Sequence, residues 1–212
     1  MNNNLQVSKS NSDISSDQSI IEAAIQETKS ARPKPETVVS TLVNLERVGK
    51  KATSVASYKQ LMGKWRLCFI TGTKKTRQRA GVILGAGRYL PSWLKIHLSY
   101  ADNSDDLNLT KAEPGRVENS VSVAGLTLTL SGSTKFLPKQ KILAFDFTHL
   151  TLQVLGKAIY SGNIRGGQNS QDKFDQEPLK KQAFFRYFLL EENYIAARGR
   201  GGGLAVWRRE DV

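Results

Sequence analysis

From Lys64 onward, apolar side chains recur at every second position in a series of short segments, and this alternation constrains the fold more than any other feature of the chain. Trp65, Leu67 and Phe69 share one parity, as do Leu94, Ile96, Leu98 and Tyr100, and then Leu126, Leu128 and Leu130. A two-residue period places all the apolar groups of a segment on one face of a strand, whereas a helix needs a period of 3.6. Lys141 to Val154 reads as one long strand whose phase slips: Leu143, Phe145 and Phe147 have one parity, Leu150, Leu152 and Val154 the other. A bulge or bend near His149 would reconcile them. Phe184–Leu190 and Tyr194–Trp207 read as a terminal strand pair. About eight strands with no helices between them predict a mainly β domain, an antiparallel sheet that is closed or nearly so. Roughly 150 residues suffice for an eight-stranded barrel wide enough to hold one small ligand.

The N-terminal third has a different character. Residues 1–19 are rich in Asn, Ser, Asp and Gln and read as disordered. Ile20, Ile21, Ala24 and Ile25 then form an apolar stripe good for two or three helical turns, ended by Pro33 and Pro35. Val38, Val39, Leu42, Leu45 and Val48 repeat at helical spacing, and a weaker helical pattern runs on past Gly49 to Met62. The expected organisation is therefore an extension over 1–35 and a domain over 36–212, with a helix over 36–62 and a barrel over 64–209.

Charge is segregated along the chain. Lys and Arg total 31 against 19 Asp and Glu, a net charge of +12, yet no acid lies between Glu46 and Asp102. That window holds 12 cations, and the 19 outside it balance the 19 acids. A basic segment of this kind suits phosphates of nucleic acid, anionic lipid headgroups or an acidic protein. Lys74, Lys75, Arg77, Arg79 and Arg88 are the candidates for a membrane or anionic-partner surface. The nucleic-acid reading is the weakest of the three, since no RNA-binding signature accompanies the charge.

Catalytic and metal chemistry find little material. The single cysteine, Cys68, sits at a strand position between Leu67 and Phe69, and the two histidines, His97 and His149, are isolated in sequence. No nucleophile and base occur at workable spacing, so neither an enzyme nor a cofactor is expected. The glycines of 81–87 have neither dinucleotide-fingerprint spacing nor a P-loop lysine. Arg198-Gly199-Arg200-Gly201-Gly202-Gly203 reads as a hairpin loop, because glycine supplies the positive φ angles of tight turns. No stretch approaches the roughly 20 apolar residues of a membrane-spanning helix. The polar start, Met1-Asn2-Asn3-Asn4, and the acids among residues 1–30 predict neither a secretory signal nor a transit peptide.

Two segments together resemble a known family. Leu61-Met62-Gly63-Lys64-Trp65-Arg66-Leu67-Cys68-Phe69-Ile70-Thr71-Gly72-Thr73 resembles the opening strand of the plastid lipid-associated protein (fibrillin) domain. Arg198 to Arg208 is similar to that family's closing Arg-Gly motif and final strand. The likeness covers roughly residues 36–209. The chain departs from the pattern at Leu189–Ala197, where the family's Tyr-x-Asp segment and an additional arginine are missing, so only Arg198 is carried over.

The resemblance implies a lipocalin-like barrel at thylakoid membranes or lipid globules, binding or stabilising a quinone, carotenoid or acyl lipid. With no transit peptide, it implies a cyanobacterial member on the cytoplasmic side of the thylakoid, or a plastid protein in processed form. The expected ligand-binding residues are Trp65, Phe69, Trp93, Phe145, Phe147 and Arg198. The alternative is an adaptor without a ligand that meets a photosynthetic complex or a biosynthetic enzyme through its basic surface.

Overall fold

The computed structural model describes residues 3–50, 54–72, 87–102, 112–167, 173–174 and 176–210. Two helices, α1 (Asn3–Ile25) and α2 (Pro35–Gly49), precede the strands β1 (Gly63–Ile70), β2 (Arg88–Tyr89), β3 (Lys95–Asp102) and β4 (Glu113–Val123). These are followed by β5 (Leu126–Leu137), β6 (Ile142–Phe145), β7 (His149–Val154), β8 (Lys157–Asn163), β9 (Ala183–Leu190), β10 (Tyr194–Gly199) and β11 (Leu204–Glu210). Neighbouring strands run β4-β3-β1-β11-β10-β9-β6-β5, and β5 returns to pair with β4. Eight antiparallel strands thus close into a barrel with two N-terminal helices, the mainly β, lipocalin-like architecture expected from the alternation.

The long strand expected over 141–154 is instead two strands. β6 pairs with Thr134–Leu137 of β5, and β7 with Leu126–Ser131 of the same strand, so β5 serves the barrel wall with one half and a projecting arm with the other. The break falls at residues 146–148, where Asp146 and Thr148 still donate to the carbonyls of Ser133 and Ser131. Gly132 makes this crossing possible: a β-carbon there would lie 1.9 Å from the Asp146 carbonyl oxygen. Beyond β7, β8 forms the outer edge of an arm, β3-β4-β5-β7-β8, in which β3 stays paired with β4 as far as Lys95↔Ser122. The strands β4 and β8 have no counterpart among the runs picked out by alternation.

The N-terminus also differs from expectation. α1 is helical from Asn3, not disordered through residue 19, and Ile21, Ala24 and Ile25 are buried in the core. They pack with Val38, Leu42 and Leu45 of α2 against Phe69, Phe188, Leu189, Tyr194 and Val206 on the outside of the barrel. The stripe that predicts two or three turns is the docking face of a longer helix whose first half is polar. α2 begins at Pro35, whose fixed φ suits a first helical position. It ends at Gly49 rather than Met62, and only glycine fits there because a β-carbon would lie 2.9 Å from the Phe188 carbonyl of β9.

Residues 54–62 are not α-helical; they cross one end of the barrel. Ser57 caps a short 3-10 turn over Tyr58–Gln60, and Ala56, Tyr58 and Leu61 are buried in the barrel interior. The Tyr58 hydroxyl lies 3.1 and 3.0 Å from the carbonyls of Ala101 and Arg116 and accepts from Thr134 Oγ1 at 3.3 Å. Tyr100 and Tyr187 share a buried hydroxyl–hydroxyl bond of 2.7 Å, and Trp65 Nε1–H donates to Leu61 O at 2.6 Å. Buried polar groups without partners would cost more than they return, and here each is paired. With Leu98, Phe136, Leu143 and Trp207, these side chains fill this end of the barrel.

Candidate ligand-binding face

The opposite end of the barrel continues into the arm. The β4–β5 register runs without interruption from Glu113↔Phe136 to Val123↔Leu126. Since Phe136 and Val117 point into the barrel, strand parity puts Leu126, Leu128, Leu130, Val121 and Val123 on that same face. β7 extends it, with Val154 opposite Leu126, Leu152 opposite Leu128 and Leu150 opposite Leu130.

The other face of the arm is largely polar. Ser122 bonds to Thr127 at 2.9 Å, Thr151 to Ser161 at 3.3 Å, and His149 reaches Ser161 at 2.9 Å and Asn163 at 3.1 Å. The arm is therefore an amphipathic sheet whose aliphatic side prolongs the barrel interior.

Three phenylalanines join the two. Phe145 stacks on Phe185 with centroids 5.0 Å apart, Phe147 lies 5.3 Å from Phe145, and Phe185 meets buried Trp207 edge-on at 5.4 Å. All three phenylalanines are only half-buried, as are Val121, Leu128, Leu130, Leu150 and Leu152. Toward the tip exposure rises, to 43% at Leu126 and 82% at Leu155. An exposed apolar surface of this kind is a candidate interaction site. The tip consists of two two-residue turns, Ala124-Gly125 and Leu155-Gly156, with positive φ at all four residues. That geometry matches the right-handed twist of the paired strands.

The residues predicted from sequence divide between several places. Phe145 and Phe147 stand together at the barrel end of this face. Trp65 is fully buried in the barrel core, with the Arg209 guanidinium 4.0 Å from its ring centre, and has no surface for a ligand. Phe69 points the other way, into the helix layer. The β1–β11 register slips between Leu67↔Trp207 and Phe69↔Val206, and this bulge at Cys68 reverses the facing that simple alternation predicts.

Trp93 is 65% exposed in the Pro91–Leu94 turn, outside the barrel. Arg198 also faces outward, since its neighbour Ala197 takes the inward position, and it bonds to Glu46 of α2. Trp65, Phe69, Trp93 and Arg198 thus lie apart from the face that brings Phe145 and Phe147 together. The aliphatic residues of β5 and β7 share the face of Phe145 and Phe147, and their alternation is visible in sequence as strand pattern without a sign of which end of the barrel they serve. Val121 and Val123 of β4 carry the same Val-x-Val signal.

Of the proposed basic surface, Lys74, Lys75, Arg77 and Arg79 lie outside the described residues, and Arg88 is exposed on β2. The basic window is partly neutralised in space. Glu46 lies 3.2 Å from Lys50, Glu210 lies 3.4 Å from Lys64, and Glu27 and Glu210 each approach Arg66 at 3.8 Å. His97 is buried beside Glu210, 2.9 Å from Nε2 but without the angle of a good hydrogen bond, and burial pushes its pKa below the usual value. Burial pushes the Cys68 thiol up, away from thiolate reactivity. Among the described residues no three His, Cys, Asp or Glu side chains are placed to hold a metal ion, and no helix is long and apolar enough to cross a membrane. The chain matches no family model and no curated protein.

Proposed function

We propose that this protein is a peripheral lipid-associated carrier that binds one hydrophobic molecule, a quinone, carotenoid or acyl lipid, on the face formed by β4, β5, β7 and the Phe145–Phe147–Phe185 cluster. The observation that carries the reading is the continuity of that face: half-buried aliphatic side chains of an amphipathic arm run directly into an aromatic cluster at the barrel end. A polyisoprenoid or acyl chain is long and apolar, and matches a surface that is mostly aliphatic and aromatic. The filled end of the barrel argues for a ligand lying along the arm rather than deep within the barrel.

Membership of the fibrillin family is part of the same proposal, and with it a place at thylakoid membranes or lipid globules. The two segments that carry the resemblance are neighbours in space, β1 paired with β11 along most of its length, which supports reading them as one unit. Reversing the charges of Lys74, Lys75, Arg77 and Arg79 is expected to abolish flotation with anionic vesicles. Flotation that survives the change would remove the membrane-docking part. The packed barrel core also suits the second reading, an adaptor without a ligand for a photosynthetic complex or biosynthetic enzyme. Purification with one stoichiometric protein partner and no lipid would favour it.

A further inference from the structure

Between the end of α1 and the outer side of β1 lies a pocket of about 220 Å³, on the far side of the barrel wall from the proposed ligand face. Three guanidinium groups, those of Arg32, Arg66 and Arg208, line it together with one carboxylate, Glu27. Two of the arginines are held in place by other groups. Arg32 Nε–H donates to Gln26 O at 3.0 Å and its guanidinium carbon lies 5.0 Å from the Tyr89 ring centre, while Arg66 Nη2–H donates to Ser92 O at 3.2 Å. The side chains of Arg66 and Arg208 are only 18% and 25% exposed.

Glu27 differs from them. Its side chain is 71% exposed, and it meets Arg208 at 2.7 Å and Arg66 at 3.8 Å. The other nearby acid, Glu210, is engaged by Lys64 and His97 as well as Arg66. Three cations, two of them fixed by bonds to main-chain carbonyls, therefore face a cavity that holds one solvated carboxylate.

We infer that this pocket binds a phosphate group, which displaces Glu27 and is held by Arg32, Arg66 and Arg208. Guanidinium forks match phosphate oxygens in pairs, so one phosphate engages several at once, whereas an exposed carboxylate pair contributes little and is readily given up. Ile25 and Leu90 in the lining suit the first carbons of an ester. The phosphate is carried either by a lipid headgroup or by a soluble phosphate ester. The site stands apart from the hydrophobic-ligand reading and does not depend on it.

The test uses the full chain as wild type, Glu27→Gln, and the double variant Arg32→Gln/Arg208→Gln. Each is titrated calorimetrically with inorganic phosphate and floated with vesicles of phosphatidic acid or phosphatidylcholine. Glu27→Gln is expected to bind several-fold tighter than wild type, and the double variant about tenfold weaker or more. The same ranking on phosphatidic acid vesicles alone identifies a headgroup, and in free solution alone a soluble ester. If Glu27→Gln gains nothing in either assay, the proposal is overturned. That exposed substitution leaves the fold intact, so its result decides the matter even if the double variant does not fold.

Discussion

Arg198 of β10 grips Glu46 of α2 with two edges of its guanidinium, Nε–H donating to Oε1 at 2.8 Å and Nη2–H to Oε2 at 2.5 Å. Its third nitrogen, Nη1, donates to the Gly202 carbonyl at 2.6 Å, so one side chain ties a helix, a strand and the closing hairpin together. Glu46 is almost fully buried and Arg198 about one-third exposed. Arg198→Gln would leave the carboxylate with Lys50 alone, at a cost of about 2–3 kcal/mol, somewhat below the value for a fully buried pair. Urea denaturation measures this. Unchanged stability with loss of a bound ligand would return Arg198 to a ligand role.

Acid should destabilise the fold in two stages. His97 has a pKa below 6.5 because burial disfavours its charged form, and Glu210 beside it only partly offsets this; Lys64 and Arg66 act in the same direction as burial. The unfolded chain then takes up a proton before the folded one, so the stability is fully present above pH 6.5 and declines as pH falls below it. Glu46 has its pKa lowered from 4.5, chiefly by the Arg198 hydrogen bond against the opposing effect of burial. Its contribution is present above pH 4.5 and is lost as pH falls through the folded value. Thermal melts across pH 3 to 8 should show both declines, and His97→Asn should remove the first.

Phe69 and Phe185 should separate folding from binding. Phe69 is completely buried in the helix layer, and Phe69→Ala is expected to cost about 3–5 kcal/mol while the folded fraction binds a hydrophobic ligand normally. Phe185→Ala removes the ring that stacks on Phe145 and should weaken binding more than stability. Fluorescence titration with a lipid probe, read beside a denaturation curve for each variant, checks the split. Weakened binding in Phe69→Ala alone would mean that the ligand lies under the helices.

Leu155 occupies a left-handed backbone position, φ +49°, in an exposed two-residue turn. Such a conformation is costly for leucine and natural for asparagine. Leu155→Asn should therefore stabilise the protein by about 0.5–1 kcal/mol. If stability falls instead, the packing of Leu155 over Gly125 outweighs the backbone strain.

Much of the barrel was legible because β-structure announces itself through parity, as in β1, β3 and β5, or through bulky apolar runs such as β9. Three physical effects hid the rest. A bulge at Cys68 leaves the letters alternating while the chain turns its faces over, so Phe69 reads as an interior residue and is not. Gly132 lets β5 carry β6 and β7 on the same side, so a strand break looks like a phase slip. β8 is exposed almost throughout, with Ile159 and Tyr160 both open to solvent, and a strand without a buried face has no alternation to read. In the candidate site, Phe145 and Phe147 were recognisable as bulky strand residues. The leucines of β5 and β7 were visible only as strand formers, because nothing in a local pattern tells which end of a barrel is filled.

The central claim is that the Leu128–Leu152 face carries one hydrophobic molecule. Native mass spectrometry of the protein purified from a photosynthetic host, followed by solvent extraction, tests it most directly when wild type is compared with Leu128→Lys/Leu152→Lys. The wild type should carry a quinone, carotenoid or acyl lipid near one per chain, and the double variant, folded by circular dichroism, should carry none. Equal occupancy in both, or an empty wild-type protein, would contradict the carrier reading.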